Sequence, residues 1–95
     1  MNIKDVESSA IELEKNLKIY AQQDHEAAEL QADLQPLLNL IKTGRFNTPI
    51  QWGQIPGRYR LSEKGLQRYN NLEEAFARFS IEVTGGRIPG LKALS

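Results

Sequence analysis

Residues 3–43, IKDVESSAIELEKNLKIYAQQDHEAAELQADLQPLLNLIKT, decide the fold. Ile3, Val6, Ala10, Leu13, Leu17 and Tyr20 recur at alternating steps of three and four, which keeps them on one face of a 3.6-residue helix. A polar break follows at Gln22-Gln23-Asp24-His25-Glu26. The same period then resumes at Ala27, Leu30, Leu34, Leu37 and Ile41. Two such faces joined by a short polar link are expected to close on each other as an antiparallel helical hairpin over 3–43. Asn2 and Asp24 are the expected N-caps, and Asp5 and Glu7 sit in a first turn where the helix dipole favours anions. Ile11 and Ile19 lie off the seam and are expected to widen the buried stripe. Pro36 falls inside the second period. The apolar spacing continues past it, so the spacing predicts a kink at Ala32–Pro36, with a stop and restart there as the alternative. Lys42 and Gly44 mark the C-terminus.

The rest of the chain must cover the surface this pair leaves open. Gly44–Arg60 is irregular and long for a connection, yet Phe46, Ile50, Trp52 and Ile55 are too apolar for a solvated linker and are expected to cap one end of the hairpin. Pro56-Gly57 reads as the centre of a type II turn. Ser62 is a candidate cap for a short helix to about Tyr69, weakened by Gly65. Asn71 with Glu74 has the spacing of a capping box. Leu72, Ala75, Phe76, Phe79 and Val83 form the face of that last helix, and Gly85-Gly86 ends it. One long helix bent at Asn70-Asn71 is the alternative. The tail, 85–95, carries Ile88, Leu91 and Leu94, expected to pack back. The pattern Gly-x-Ile-Pro-Gly occurs at 53–57 and 86–90, but the flanks differ, so it marks two similar turns and not a repeat. The expected architecture is a single all-α domain. Its hairpin (3–43), long irregular loop (44–61) and one or two further helices (62–84) are followed by the tail.

Bulk properties narrow the function. Ninety-five residues bury roughly 60–65% of their unfolded surface, enough for one modest core. The 40% hydrophobic and 25% charged content is that of a globular chain. Net charge is zero but unevenly spread: 1–43 carries −4, 44–70 carries +4 and the remainder is neutral. There is no cysteine, hence no disulfide or thiolate metal site. The N-terminus has no signal-peptide core and no apolar run spans a bilayer, so no membrane association and a cytoplasmic location are the default expectation.

Catalytic chemistry finds few residues. The one histidine, His25, could meet Glu29 one turn away, but a metal needs three or four ligands and neither a second histidine nor a cysteine exists. No phosphate loop, nucleophile elbow or metalloprotease signature occurs. Neither an enzyme nor a cofactor is indicated. Arg45, Arg58, Arg60, Lys64 and Arg68 interleave with Phe46, Trp52, Tyr59 and Tyr69, the composition of a single-strand nucleic-acid surface. The bland alternative, that these arginines pair with the hairpin's own carboxylates, outweighs it. The third reading is partner binding. It uses the acidic hairpin face, chiefly Glu26, Glu29 and Asp33, and Trp52, Arg58 and Tyr59 in the loop, which are hot-spot residue types.

In size, helical pattern, acidic face and lack of a catalytic motif, the chain resembles small helical immunity proteins of bacterial toxin–immunity pairs. These include partners of effectors delivered by type VI secretion. The resemblance implies a protein that binds a cognate toxin domain and blocks its active site. The alternatives are a small nucleic-acid-binding regulator acting through 45–68, or a phage or secretion adaptor. The hairpin seam could pair two chains, yet Phe46, Trp52, Phe76 and Phe79 offer cover within one, so a monomer or weak homodimer is expected.

Overall fold

Asn2 opens the first helix as expected: its Oδ1 accepts from the backbone N–H groups of Lys4 and Asp5, satisfying two donors that the first turn leaves unpaired. In the computed structural model, which describes residues 2–86, α1 spans Ile3–Ala21 and α2 spans His25–Lys42. A 3-10 turn (Trp52–Gln54), α3 (Arg58–Glu63), a second 3-10 turn (Leu66–Arg68) and α4 (Asn70–Val83) follow. The described residues are helical with no strand. The expected tail packing of Ile88, Leu91 and Leu94 lies outside them.

Helix α1 is the central element, packing on α2 along one side and α4 along the other. Val6, Leu13, Leu17, Leu30, Leu34, Leu38, Leu72, Phe79 and Val83 are completely buried where these three helices meet. The molecule is a slab, 19 Å in its shortest dimension, or about two helix diameters.

Because α1 is covered on two sides, its buried arc is filled partly by small polar residues. Ser9 and Asn16 lie inside, and each donates to a carbonyl one turn back, Val6 O and Glu12 O. Ile11 and Ile19, expected to widen the stripe, are 63% and 52% exposed. At 100° per residue they fall outside the arc that α2 and α4 cover.

Helix α2 runs unbroken through Pro36. Pro36 has no N–H for the carbonyl of Ala32, but both residues sit on the exposed side, where water can replace the missing donor. At the C-terminus, Arg45 N–H donates to Leu40 O across Gly44, a Schellman closure. The loop beyond is anchored. Phe46 and Ile55 enter the core, Ile50 and Trp52 pack against it, and Ile50 N–H donates to Val83 O at the end of α4.

The short helices differ from the sequence reading. The third helix starts at Arg58, inside the stretch assigned to loop, and ends at Glu63. Ser62 is therefore not an N-cap; its hydroxyl donates to Tyr59 O in the last turn. Gly65 at φ +79 breaks the path to Tyr69 with a left-handed residue, which also removes the single bent helix as an alternative. Helix α4 begins at Asn70, one residue before the expected capping box, and Asn71 makes no cap. Its start is set by Tyr69, whose carbonyl accepts from Glu73 N–H and whose ring stacks on Tyr20 at 4.3 Å.

Candidate partner-binding surface

The turn Pro56-Gly57 places α3 against α2. Gly57 takes φ +76 and ψ 3, the values a type II turn needs at its third position. A side chain there would collide with α2, since an added Cβ would lie 2.6 Å from Leu30 Cδ1 and 3.0 Å from Asp33 Oδ2. This close approach carries Arg60 over the acidic face of α2. Arg60 Nε donates to Asp33 Oδ2 at 2.7 Å and Nη1 donates to Glu26 Oε1 at 2.8 Å, while Glu29 Oε2 stands 4.0 Å from Nη2. The Arg60 side chain is only 15% exposed, so these bonds act where water screens them weakly. Two of the three hairpin carboxylates expected to meet a partner are thus engaged inside the chain. Glu29 is the freest of the three and also lies 3.3 Å from His25 Nε2. Among the described residues, no group of three or more His, Asp or Glu is placed to hold a metal ion.

A second node ties α4 to the α1–α2 turn. Asp24 Oδ1 accepts from Glu26 N–H as the α2 cap, and Oδ2 accepts from both Tyr69 OH at 2.8 Å and Arg68 Nη2 at 2.7 Å. These donors favour the ionised carboxylate, with the Tyr69 hydroxyl contributing most, and hold Asp24 below the usual aspartate range. Arg60 and Arg68 are therefore occupied by acids of α2 and its N-cap. Of the basic stretch, Arg45, Arg58 and Lys64 have no carboxylate within 4.0 Å among the described residues.

Trp52, Arg58 and Tyr59 do come together. The Arg58 guanidinium lies over the Trp52 ring, 4.6 Å from its centroid, and Arg60 covers one face of Tyr59 at 4.9 Å. Trp52 is partly buried and packs against the core; Tyr59 is 46% exposed. These three residues line a surface groove of about 460 Å³ between α3 and α4. Leu61, Phe76 and Ser80 form the buried floor, and Ser62, Glu63, Gln67, Glu73 and Ala77 complete the rim. Glu63 and Ala77 were not among the residues the sequence singled out; Glu73 stood out only as an adjacent pair with Glu74, whose side chains diverge on a helix. The available signal was Ala77, one turn beyond Glu73 on the exposed side of α4, where a small side chain leaves depth behind a charged one.

A second groove of about 440 Å³ separates α1 from α4. Among the described residues its charges, Glu12 and Lys15 on one helix and Glu74 and Arg78 on the other, cancel, and none of its lining residues is aromatic. The α3–α4 groove is thus the better-equipped surface for recognition. No helix among the described residues is long and apolar enough to cross a membrane. No protein-family model matches the chain, and neither does any curated protein or solved structure compared with it.

Proposed function

We propose that the chain is a non-enzymatic protein-binding module, acting as an immunity protein that neutralises a bacterial toxin by covering its active site. The observation that carries the reading is the groove wall formed by Trp52, Arg58 and Tyr59. Tryptophan, tyrosine and arginine dominate interface energetics: the two aromatics present large area with few rotors, the guanidinium offers a planar fork of donors, and all three keep a polar end for a partner. Arg58 and Tyr59 sit on α3, already fixed by the Arg60 tether, and Trp52 packs against the core, so little ordering cost is added on binding. The antiparallel α1–α2 hairpin is the rigid frame in this reading. Glu26 and Asp33 support the surface from behind by holding Arg60, and Glu29 is the hairpin carboxylate left to steer a basic partner.

The experiment is a binding assay against the product of the adjacent upstream gene, with single-stranded RNA and DNA as competitors. Tight binding of that protein, weakened by Tyr59→Ala and untouched by the nucleic acids, is the expected result. Tight nucleic-acid binding abolished by Arg58→Ala, with no protein partner recovered, would replace this reading with that of a nucleic-acid-binding regulator.

A further inference from the structure

We propose that the α3–α4 groove receives an arginine side chain carried by an apolar segment of the protein partner. The inference rests on the protein-binding reading and names the chemistry of the contact. The floor of Leu61 and Phe76 is apolar and buried, suited to the aliphatic stem of a long side chain and to its apolar neighbours. At the rim stand two exposed carboxylates, Glu63 and Glu73, with no ion pair within 4.0 Å among the described residues. The one cation on the rim among the described residues, Arg58, is placed over Trp52. Two carboxylates against one guanidinium leave the groove with a net negative charge. Aromatic rings are part of the same wall: Arg60 covers one face of Tyr59, yet the residue remains 46% exposed. A guanidinium matches this set better than an ammonium, because its plane stacks on a ring while its edge meets a carboxylate with two parallel bonds. The neutral α1–α4 groove has no such combination. Glu73 and its neighbour Glu74 divide between the two grooves, as adjacent residues on a helix must.

Trp52 is the only tryptophan, so its emission reports on this groove directly. The full chain is titrated with a short capped peptide in which leucine alternates with arginine, and with its counterpart in which leucine alternates with glutamate. The expected result is a saturable change in Trp52 emission with the arginine peptide alone. It weakens roughly fivefold or more in Glu63→Gln and Glu73→Gln and is unchanged in Glu74→Gln. An equal response to the glutamate peptide, or equal weakening by Glu74→Gln, overturns the proposal. Partner affinity separates this failure from failure of the broader reading. If Tyr59→Ala weakens the partner complex while the Glu63→Gln, Glu73→Gln double variant does not, the arginine chemistry is wrong and the protein-binding surface stands. If neither does, both fall.

Discussion

Arg60 and Asp33, 27 residues apart in the chain, meet through an Nε–H···Oδ2 hydrogen bond of 2.7 Å. With the second bond to Glu26, it spans α3 and two turns of α2, and makes the position of the Trp52–Arg58–Tyr59 wall depend on a side chain outside that wall. Removing the guanidinium leaves Glu26 and Asp33 facing each other without a cation. Arg60→Met is expected to lower the thermal midpoint and to expose the 44–64 segment to protease, and Arg60→Lys to recover only part of the loss, since an ammonium lacks the fork. Arg58→Met, which breaks only an exposed cation–π contact, should leave the midpoint nearly unchanged. Scanning calorimetry with limited proteolysis of the three variants checks this.

Gly57→Ala tests the docking of α3. The new methyl group would meet Leu30 Cδ1 at 2.6 Å from a residue held at φ +76, so both overpacking and backbone strain oppose it. A loss of about 1–3 kcal/mol in urea-unfolding free energy is expected. Gly53→Ala is the control, because nothing lies within 4 Å of a side chain added there.

The seam of the core has a simpler test. Leu34 is fully buried, so Leu34→Ala should cost about 2–5 kcal/mol, and Leu34→Asp should unfold the domain, because a carboxylate there has no partner. Circular dichroism melts of the two variants give the answer, and a midpoint unchanged in Leu34→Asp would remove this residue from the core.

Acid sensitivity should pass through Asp24. Its folded pKa lies below the ordinary aspartate value, so as pH falls the unfolded chain takes up the proton first. The stabilisation is complete above the unfolded value of about 3.9 and disappears as pH drops through the lower folded value. Asp24→Asn keeps a good N-cap but cannot titrate, and Tyr69→Phe removes the hydroxyl that does most to depress the pKa. Unfolding midpoints followed from neutral pH into acid should fall less steeply in both variants than in the wild type.

Much of the helical content was legible because it rests on local rules. The three-four spacing of Val6, Ala10, Leu13 and Leu17, the Asn2 and Asp24 caps and the Leu72–Val83 face all appear where periodicity and capping chemistry indicate them. The misplacements arose where tertiary packing overrode a local signal. Ser62 and Asn71 look like caps, but the close contact at Gly57 and the Tyr20–Tyr69 stack decide where α3 and α4 begin. Ile11 and Ile19 are apolar and exposed because the buried arc of α1 depends on where α4 lies, which no local pattern of α1 records. Arg60 shows the same limit at the candidate site. Five cations and a row of acids permit many pairings, and only the fold selects Arg60 for Glu26 and Asp33 and leaves Arg58 over Trp52.

The proposed contact surface for a protein partner is the groove wall of Trp52, Arg58 and Tyr59. The most direct measurement is the dissociation rate of the complex with the upstream-gene product, for the wild type, Arg58→Ala and Tyr59→Ala, beside the melting temperature of each. Each truncation is expected to speed dissociation, costing about 1–3 kcal/mol in affinity, with the melting temperature nearly unchanged. Dissociation rates equal to the wild type in both stably folded variants would contradict it.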